Sequence, residues 1–169
     1  MDILPEIEER VSIKNFNSKS LKKHQIERIL KAGHLAPSAK NRQAWRFIVV
    51  QNSAVREKLM DASFGQDHVG QAPVIIAVCT TNIDYKMPNG QLSYPVDLAI
   101  ASSFMLLQAT REGIGSCCIT TFDEATVKHL LNVPYTMRIV MLILLGHYDE
   151  KPSRKQRKGI NRVISYEHW

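Results

Sequence analysis

The chain has 169 residues, of which 44% are hydrophobic, and its formal net charge is +6. This length fits one globular domain and the composition excludes a disordered chain, while the positive charge favours an anionic partner such as nucleic acid, a phosphate-bearing cofactor or an acidic surface. No stretch reaches the ~20 consecutive apolar residues that a membrane span needs, and residues 1–6 lack the apolar core of a secretory signal.

The sequence contains three cysteines, Cys79, Cys117 and Cys118. Adjacent cysteines rarely pair with each other, and no CxxC motif is present to bind zinc. Cys79 and Cys118 lie in apolar runs, which predicts small core side chains, and free thiols favour a reducing, cytoplasmic location. The six histidines show no metal-ligand spacing, so no metal site is predicted.

The chain begins with a helical pattern followed by an extended one. Apolar side chains recur every four positions in residues 3–11, which predicts a short amphipathic helix. If residues 10–16 are extended, three polar side chains lie on one side of the segment, namely Arg10, Ser12 and Lys14. Two cations and a hydroxyl so placed can bind a phosphate, although an ordinary solvated edge has the same pattern.

A helix, a polar loop and a strand come next. The helical pattern of residues 21–35, with Ser20 as its predicted N-cap, ends before Pro37 because proline fixes φ and has no N–H. Residues 45–50 are predicted to form a strand. The loop between these elements offers three polar side chains, Ser38, Asn41 and Gln43. A loop held between a helix and a core strand often presents ligand-binding groups, although a solvated connection fits the pattern equally well.

The middle of the chain predicts three further elements. Ser53 is the predicted N-cap of a helix over residues 53–62. The continuously apolar residues 72–79 are typical of a central strand that is covered on both faces. Residues 80–94 are predicted to be an irregular loop because they contain proline, glycine and asparagine.

Residues 95–112 predict a long helix, opened by Pro95 and closed by Gly113. Apolar side chains lie nearly all round this helix, which predicts that it is buried. Asp97 is interpreted as a charge that stabilises the helix dipole. Small side chains would let another helix approach closely, which favours a dimer core; they are Ala99, Ala101, Ser102 and Ser103.

In the last third of the chain, the sequence pattern predicts a strand at residues 115–120 and a helix over residues 124–131 that is capped by Asp123 or Thr121. It also predicts a buried strand at residues 137–145. Five cations follow between residues 151 and 158, and apolar side chains resume at residues 163–169. This tail, about residues 150–169, is predicted to be an arm that packs on a second subunit. The order of elements is typical of one mixed α/β domain over residues 1–169, without a Rossmann or P-loop motif.

Several segments, taken in order, resemble the flavin-dependent nitroreductase family, and the resemblance extends over almost the whole chain. The most specific is the Pro-Ser-x-x-Asn-x-Gln-x-Trp pattern of residues 37–45. The others are Arg10-x-Ser12-x-Lys14, Ala72-Pro73-Val74-Ile75-Ile76, Asp97-Leu98-Ala99-Ile100-Ala101, Gly113-Ile114-Gly115, Leu144-Leu145-Gly146-His147-Tyr148 and the basic arm with Arg157.

The resemblance implies an α+β flavoprotein with a central, mostly antiparallel sheet flanked by helices. It also implies a homodimer with a domain-swapped C-terminal arm and with two FMN sites at the subunit interface. NADH or NADPH would supply electrons, which pass through FMN in a ping-pong cycle to nitroaromatics, quinones or other electrophiles. Neither a nucleic-acid nor a membrane partner is implied.

The resemblance also assigns site residues by position. It assigns FMN binding to the N-terminal motif of Arg10, Val11, Ser12 and Lys14, and to Lys155 and Arg157 of the arm. The loop of the other subunit would add Pro37, Ser38, Ala39 and Asn41. The segment that passes flavin N5 would be Thr120 and Thr121. Arg10 and Arg157, assisted by Lys155, suit the phosphate because arginine binds phosphate through two parallel hydrogen bonds. Lys14 suits the N1–C2=O edge of the ring, where reduction places negative charge. No acid–base residue is nominated, because the cofactor carries the chemistry.

Three features depart from the family pattern. First, Thr120-Thr121 stands where the family often has an acidic residue and a glycine. Second, Gln43-Ala44-Trp45 stands in place of Gln-Pro-Trp. Third, residues 80–95 are too few for the helical insertion that longer members carry. The first and third of these departures leave open an alternative, a flavin-binding protein without efficient turnover, such as a sensor or a carrier. A nucleic-acid-binding module is a third hypothesis, but the chain lacks the aromatic platform or groove helix of such modules.

Overall fold

The apolar run that ends at Thr80 forms the central strand of the fold, and all seven residues of this strand, Val74–Thr80, are buried. The computed structural model describes residues 3–169. Its four strands are β1 (Trp45–Val50), β2 (Val74–Thr80), β3 (Gly115–Ile119) and β4 (Ile139–Gly146). They form one sheet in the order β1-β2-β4-β3, and every neighbouring pair is antiparallel. The predicted antiparallel α+β architecture is confirmed.

Within residues 3–169, six α-helices flank this sheet: α1 (Pro5–Glu9), α2 (Lys23–His34), α3 (Ser53–Ala62), α4 (Asp67–Gln71), α5 (Ser93–Arg111) and α6 (Glu124–Leu131). Alternate residues of β2 and β4 point to opposite faces of the sheet, so the core has two layers. One layer contains Ile75 and Leu144 with side chains of α3 and α6. The other contains Ile76 and Ile143 with side chains of α2 and α5. The predicted burial of the central strand on both faces is therefore confirmed.

Helix α5 is buried on one side only, which corrects the prediction that it is covered all round. Its buried residues include Leu98, Met105 and Ala109, which pack in the core layer of α2. On other sides of the helix Val96 is 41% exposed and Phe104 is 40% exposed. The apolar pattern of this helix therefore has two parts, one filled by the chain's own core and one facing outward.

Several element boundaries differ from the predictions. Ser20 does not cap α2, which begins at Lys23 and is preceded by a hydrogen bond from the Lys22 N–H to the Gln25 side chain at 3.0 Å. Ser53 is the first residue of α3 rather than its cap. Helix α5 begins two residues before Pro95. Helix α4 was not predicted, because a helix of five residues is too short to show an apolar period.

Replacing Asn52 by alanine should lower the free energy of unfolding by about 1 kcal/mol. Asn52 is the N-cap of α3, and its Oδ1 accepts a hydrogen bond from the Val55 N–H at 3.2 Å. Urea denaturation measures the change. Asn52→Ser keeps a side-chain acceptor at the cap and should lose much less stability; equal losses in the two variants would contradict the capping role.

The two chain ends lie together on the surface. Helix α1 buries no residue, and Ile3 and Ile7 are 48% and 43% exposed, so the amphipathic helix predicted for residues 3–11 is shorter and less buried than expected. All of residues 151–169 are exposed. Arg154 nevertheless joins the two ends, since its guanidinium donates to the carbonyl oxygens of Glu8 at 3.1 Å and Ile7 at 3.3 Å. Within residues 3–169, none of the helices has the length and apolar character that crossing a membrane requires.

Candidate functional site

The N-terminal segment after α1 lies along β3, as its extended pattern predicts. Ser12 pairs with Ser116 in a parallel bridge, and the Ile13 N–H donates to the Ser116 carbonyl oxygen at 3.0 Å. Ile13 is buried at 2% exposure, whereas Ser12 and Lys14 are exposed. The backbone thus places its polar side chains outward from the edge of the sheet.

Gly115 allows this close approach. A Cβ at this position would lie 2.7 Å from Tyr148 Cδ1 and 2.8 Å from Ile13 Cγ1. Both distances are shorter than real Cβ contacts, and the Ile13 Cβ itself would be only 3.0 Å away. The absence of a side chain at Gly115 therefore lets the segment pack against the sheet.

A cavity of about 540 Å³ lies between this segment and the C-terminal arm. Its lining consists of residues 10–15, Cys117 and Cys118 of β3, and residues 150–155. Five of the lining side chains are cationic, namely Arg10, Lys14, Lys151, Arg154 and Lys155, and one is a carboxylate, Glu150. This excess of positive charge in a concave site favours an anionic ligand, since a charged cleft focuses the field on its contents.

Five of the predicted site residues meet in this cavity: Arg10, Val11, Ser12, Lys14 and Lys155. Their convergence brings together residues separated by more than a hundred positions in the chain. Arg157 is exposed and, among the described residues, is not part of the lining. Its predicted phosphate contact therefore stays a prediction.

The lining also contains residues that the sequence did not indicate. Cys118 was predicted to be a core side chain, but it is exposed and faces the cavity. The prediction failed because the neighbouring residues are apolar while β3 is an edge strand of the sheet, with one side less covered. Cys79 is buried as predicted, and burial raises the pKa of its thiol to about 11. Asn15 and Glu150 carry no motif, and Arg154 was noted only as one cation of the basic arm; the path of the chain brings all three to the cavity.

The predicted loop residues Pro37, Ser38, Ala39 and Asn41 lie outside the cavity lining, as judged over residues 3–169. A dense set of hydrogen bonds fixes their shape. The Gln43 N–H donates to Ser38 Oγ at 2.9 Å and the Asn41 N–H donates to the Ser38 carbonyl oxygen at 2.9 Å. Lys40, Asn41 and Gln43 all adopt positive φ, between 51° and 53°, a conformation that side chains rarely take. The loop is therefore a rigid, locally strained turn.

Asp97 holds this turn in place, which revises its interpretation as a helix-dipole charge. It is the fifth residue of α5 and is buried at 2% exposure. Its Oδ1 accepts the Ala39 N–H at 2.9 Å, whereas Oδ2 is buried without a partner in the described part of the chain. The carboxylate thus ties the polar loop to the long helix.

Thr120 and Thr121 follow β3 directly and are exposed, and neither lines the cavity over the residues that the structure describes. The side chain of Gln66 fastens this segment, because its Nε2 donates to the Thr121 carbonyl oxygen at 3.0 Å and to the Ser63 carbonyl oxygen at 2.8 Å. Gln66 was not predicted as a site residue. A glutamine in a surface loop carries no pattern that would have indicated this contact.

His68 on α4 is a second group that the sequence did not indicate. Its Nε2 is buried and accepts or donates no hydrogen bond among residues 3–169. Burial lowers the pKa of His68 from its ordinary value of 6.5, and the ammonium of Lys14 lowers it further, against an opposing effect of Asp67. The imidazole is therefore held neutral within electrostatic reach of the cavity's Lys14.

Stability should fall as the pH drops from about 7.5 to about 5.5, and part of this loss should belong to His68. The unfolded chain takes up a proton near the ordinary pKa of 6.5, whereas native His68 resists protonation until a lower pH, so acid favours unfolding. His147 acts in the same direction, because burial lowers its pKa too. The hydrogen bond from Arg28 lowers the pKa of Glu112 below 4.5, so that carboxyl matters only in stronger acid.

Urea midpoints at the two pH values measure this effect. His68→Asn keeps a neutral polar side chain and should show a shallower decline than the wild type, because the group that takes up the proton is gone. Parallel declines in the two proteins would mean that His68 does not titrate in this window. His129→Asn, on an exposed side of α6, serves as a control for the loss of a histidine.

Comparison with known proteins agrees with this architecture. The model of the nitroreductase family matches residues 7–66 and 63–147. A Methanothermobacter thermautotrophicus protein, provisionally named NADH dehydrogenase/NAD(P)H nitroreductase, is 30% identical over 173 residues, which cover 100% of this chain and 88% of the relative. A nitroreductase family protein from Clostridium difficile 630 has a crystal structure that is similar with a TM-score of 0.88, 26% identity and 100% coverage of both chains. The NADPH:FMN oxidoreductase of Vibrio harveyi, solved in complex with NAD+, has a TM-score of 0.88 and 25% identity over 97% of this chain and 76% of its own.

Proposed function

The chain belongs to the nitroreductase family, and on that basis we propose that it is an FMN-dependent NAD(P)H oxidoreductase. The observation that carries the proposal is the cationic cavity between the N-terminal segment and the arm. The similarity to an NADPH:FMN oxidoreductase supports both the flavin and the nicotinamide nucleotide. Nitroaromatics, quinones and similar electrophiles are the proposed acceptors.

The residues present fit FMN. The cavity of about 540 Å³ falls within the range of about 300–1,000 Å³ that is usual for small-molecule sites. Its cations match a phosphate dianion, and Ser12, Asn15 and Ser153 in the lining offer hydrogen bonds to hydroxyl groups. A single carboxylate, Glu150, is too little negative charge to oppose an anionic ligand.

Each group of residues has a proposed task. Arg10 and Lys155 bind the phosphate, assisted by Arg157 when the arm is placed for it. Lys14 supplies a fixed positive charge beside the N1–C2=O edge of the ring. The turn at residues 37–41 and the segment Thr120-Thr121 hold the ring by shape and by backbone groups. Bound FMN supplies hydride transfer between the nucleotide and the acceptor.

A homodimer is part of this proposal, with the arm of one subunit on the other. The outward side of α5, which includes Val96 and Phe104, offers an apolar surface for a second copy. The arm carries Val163, Ile164 and Tyr166 fully outside the core, although apolar side chains gain by burial. The turn at residues 37–41 does not line the cavity of its own chain, so a second subunit would be needed to bring the two together.

The flavin test is direct. Purified protein should be yellow, and NADH or NADPH should bleach it without oxygen; an added quinone or nitroaromatic should then restore the colour. Protein that stays yellow with both nucleotides would instead support a passive flavin binder. A colourless preparation that cannot be reconstituted with FMN would contradict every flavin-based function.

The dimer test uses the outward side of α5. Phe104→Asp should shift the protein from dimer to monomer in analytical ultracentrifugation and should release FMN, because a buried charge without a partner disfavours association. Tyr135→Asp places the same charge at a residue that is 74% exposed after α6, and it should remain dimeric and yellow. A Phe104→Asp variant that stays dimeric would place the interface elsewhere.

A further inference from the structure

The rigid turn at residues 37–43 carries two cations that the flavin site does not use. The Arg42 guanidinium lies over the ring of Tyr85, with Cζ 3.9 Å from the ring centroid. The Lys40 ammonium lies near the same ring, at 5.8 Å from the centroid. A single tyrosine from the 80–92 loop therefore gathers both charges at one place on the surface.

Both partners of this arrangement are held by the backbone. The Arg42 N–H donates to the Ala39 carbonyl oxygen at 3.2 Å, within the turn that Asp97 anchors. The Tyr85 N–H donates to Asn82 Oδ1 at 3.0 Å, and the Tyr85 carbonyl oxygen accepts from the Ser93 N–H at 3.1 Å. The cations are therefore fixed at their bases, which lowers the entropy that a ligand would otherwise lose on ordering them.

Neither cation has a carboxylate partner in the described part of the chain. Among residues 3–169, no carboxylate oxygen lies within 4.0 Å of Lys40 or Arg42. Other arginines of the fold behave differently, since Arg28, Arg111 and Arg138 each pair with a glutamate. A guanidinium whose face lies on an aromatic ring still presents its N–H edge, which matches the oxygen pairs of phosphate groups.

We infer that Lys40 and Arg42, held by Tyr85, bind the pyrophosphate of the nicotinamide dinucleotide. This inference rests on the proposed function, in which the same turn, through Ser38 and Asn41, completes the flavin site of the other subunit. The nicotinamide ring must stack on the flavin to transfer hydride, so the pyrophosphate of the nucleotide extends outward to the rim of the site. Lys40 and Arg42 are exposed and belong to the same turn as Ser38 and Asn41, so they lie beside that site on its solvent side.

The test compares electron donors with and without phosphate groups, in the FMN-loaded dimer. Arg42→Ala should raise the KM for NADH and the KM for NADPH by the same factor, about five- to tenfold. The double variant Lys40→Ala/Arg42→Ala should raise both KM values further. In both variants kcat should stay nearly unchanged. Reduced nicotinamide riboside carries no phosphate, and its KM should not change. Arg42→Lys keeps the charge without the planar fork and should fall between the wild type and Arg42→Ala. Lys31→Ala, an exposed cation on α2, controls for the change in net charge.

Flavin content, measured for each variant, separates this inference from the proposed function. Wild-type protein without reducible flavin would remove the proposed function itself. If the wild type is reduced normally but Arg42→Ala leaves the KM for NADH unchanged, or raises that for the riboside equally, the pyrophosphate role is wrong. A rise for NADPH alone would also overturn it, because it would assign the cations to the 2′-phosphate. Loss of FMN from both Arg42→Ala and Arg42→Lys would assign them to the flavin instead.

Discussion

Replacing Arg10 by alanine should weaken FMN binding by about one to two orders of magnitude, on the scale of the ~1.5–3 kcal/mol of a hydrogen bond to a charged group. Arg10 is the one arginine of the N-terminal motif that lines the cavity, at the point where the segment leaves α1. Its loss would remove the proposed bidentate contact with the phosphate, which lysine cannot reproduce. Fluorescence titration of the apoprotein with FMN measures the change.

Two further variants help to interpret the effect of Arg10→Ala on FMN affinity. Arg162→Ala removes the same charge from an exposed site outside the cavity and should leave FMN affinity within about twofold. Arg157→Ala should weaken FMN binding as much as Arg10→Ala does if the arm of the partner subunit brings Arg157 to the phosphate. Unchanged affinity in Arg10→Ala would move the phosphate away from the N-terminal segment, and unchanged affinity in Arg157→Ala would contradict the predicted role of the arm alone.

Replacing Gly115 by alanine should release most of the bound FMN, with a loss of at least tenfold in affinity, although the substituted residue touches no ligand. The added Cβ would meet Ile13 and Tyr148 at less than 3.0 Å. Relief requires the N-terminal segment to move away from β3, because the Ile13 Cβ is itself only 3.0 Å from the new atom. Such a shift would displace Arg10 and Lys14 together. Overpacking of this kind also costs about 1–3 kcal/mol of stability.

FMN content of the purified variant, together with its thermal unfolding, checks this prediction. Gly159→Ala is the matched control, since a Cβ there meets no atom within 4 Å and the residue does not need positive φ. It should bind FMN and unfold like the wild type. If Gly115→Ala keeps full FMN affinity, the close packing of the segment on β3 is not needed for the site.

Local patterns were sufficient to predict most of the fold. Strand β1 was predicted at its observed bounds, because the polar turn of residues 37–43 precedes it and the polar Gln51 and Asn52, before α3, follow it. The cap of α6 was narrowed to two residues, and the structure selects Asp123, whose Oδ1 accepts the Thr126 N–H at 2.7 Å. In these elements the information lies within a few residues of the position concerned, so a single sequence carries it.

The site is less predictable because it depends on contacts between distant segments. The motif around Ser12 was apparent, yet its register against Ser116 and its contact with the arm were not, since no local pattern specifies a partner more than a hundred residues away. The contact between Asp97 and Ala39, which are 58 residues apart, was missed because no local pattern specifies it either. The outward side of α5 was misjudged because apolar residues look alike whether they meet the chain's own core or another surface.

The exposed C-terminal arm contributes to the candidate cofactor site but not to the core of the fold. Residues 151–169 are all exposed in the single chain and add no buried side chain to the core, yet the arm supplies Lys151, Arg154 and Lys155 to the cavity. We therefore expect substitutions of these cations to change FMN retention while the melting temperature of the apoprotein stays nearly the same, whereas holoprotein that loses FMN also loses the stabilisation that ligand binding provides. Limited trypsin digestion would make this visible, with the arm cut first in the apoprotein and protected once the cofactor is bound.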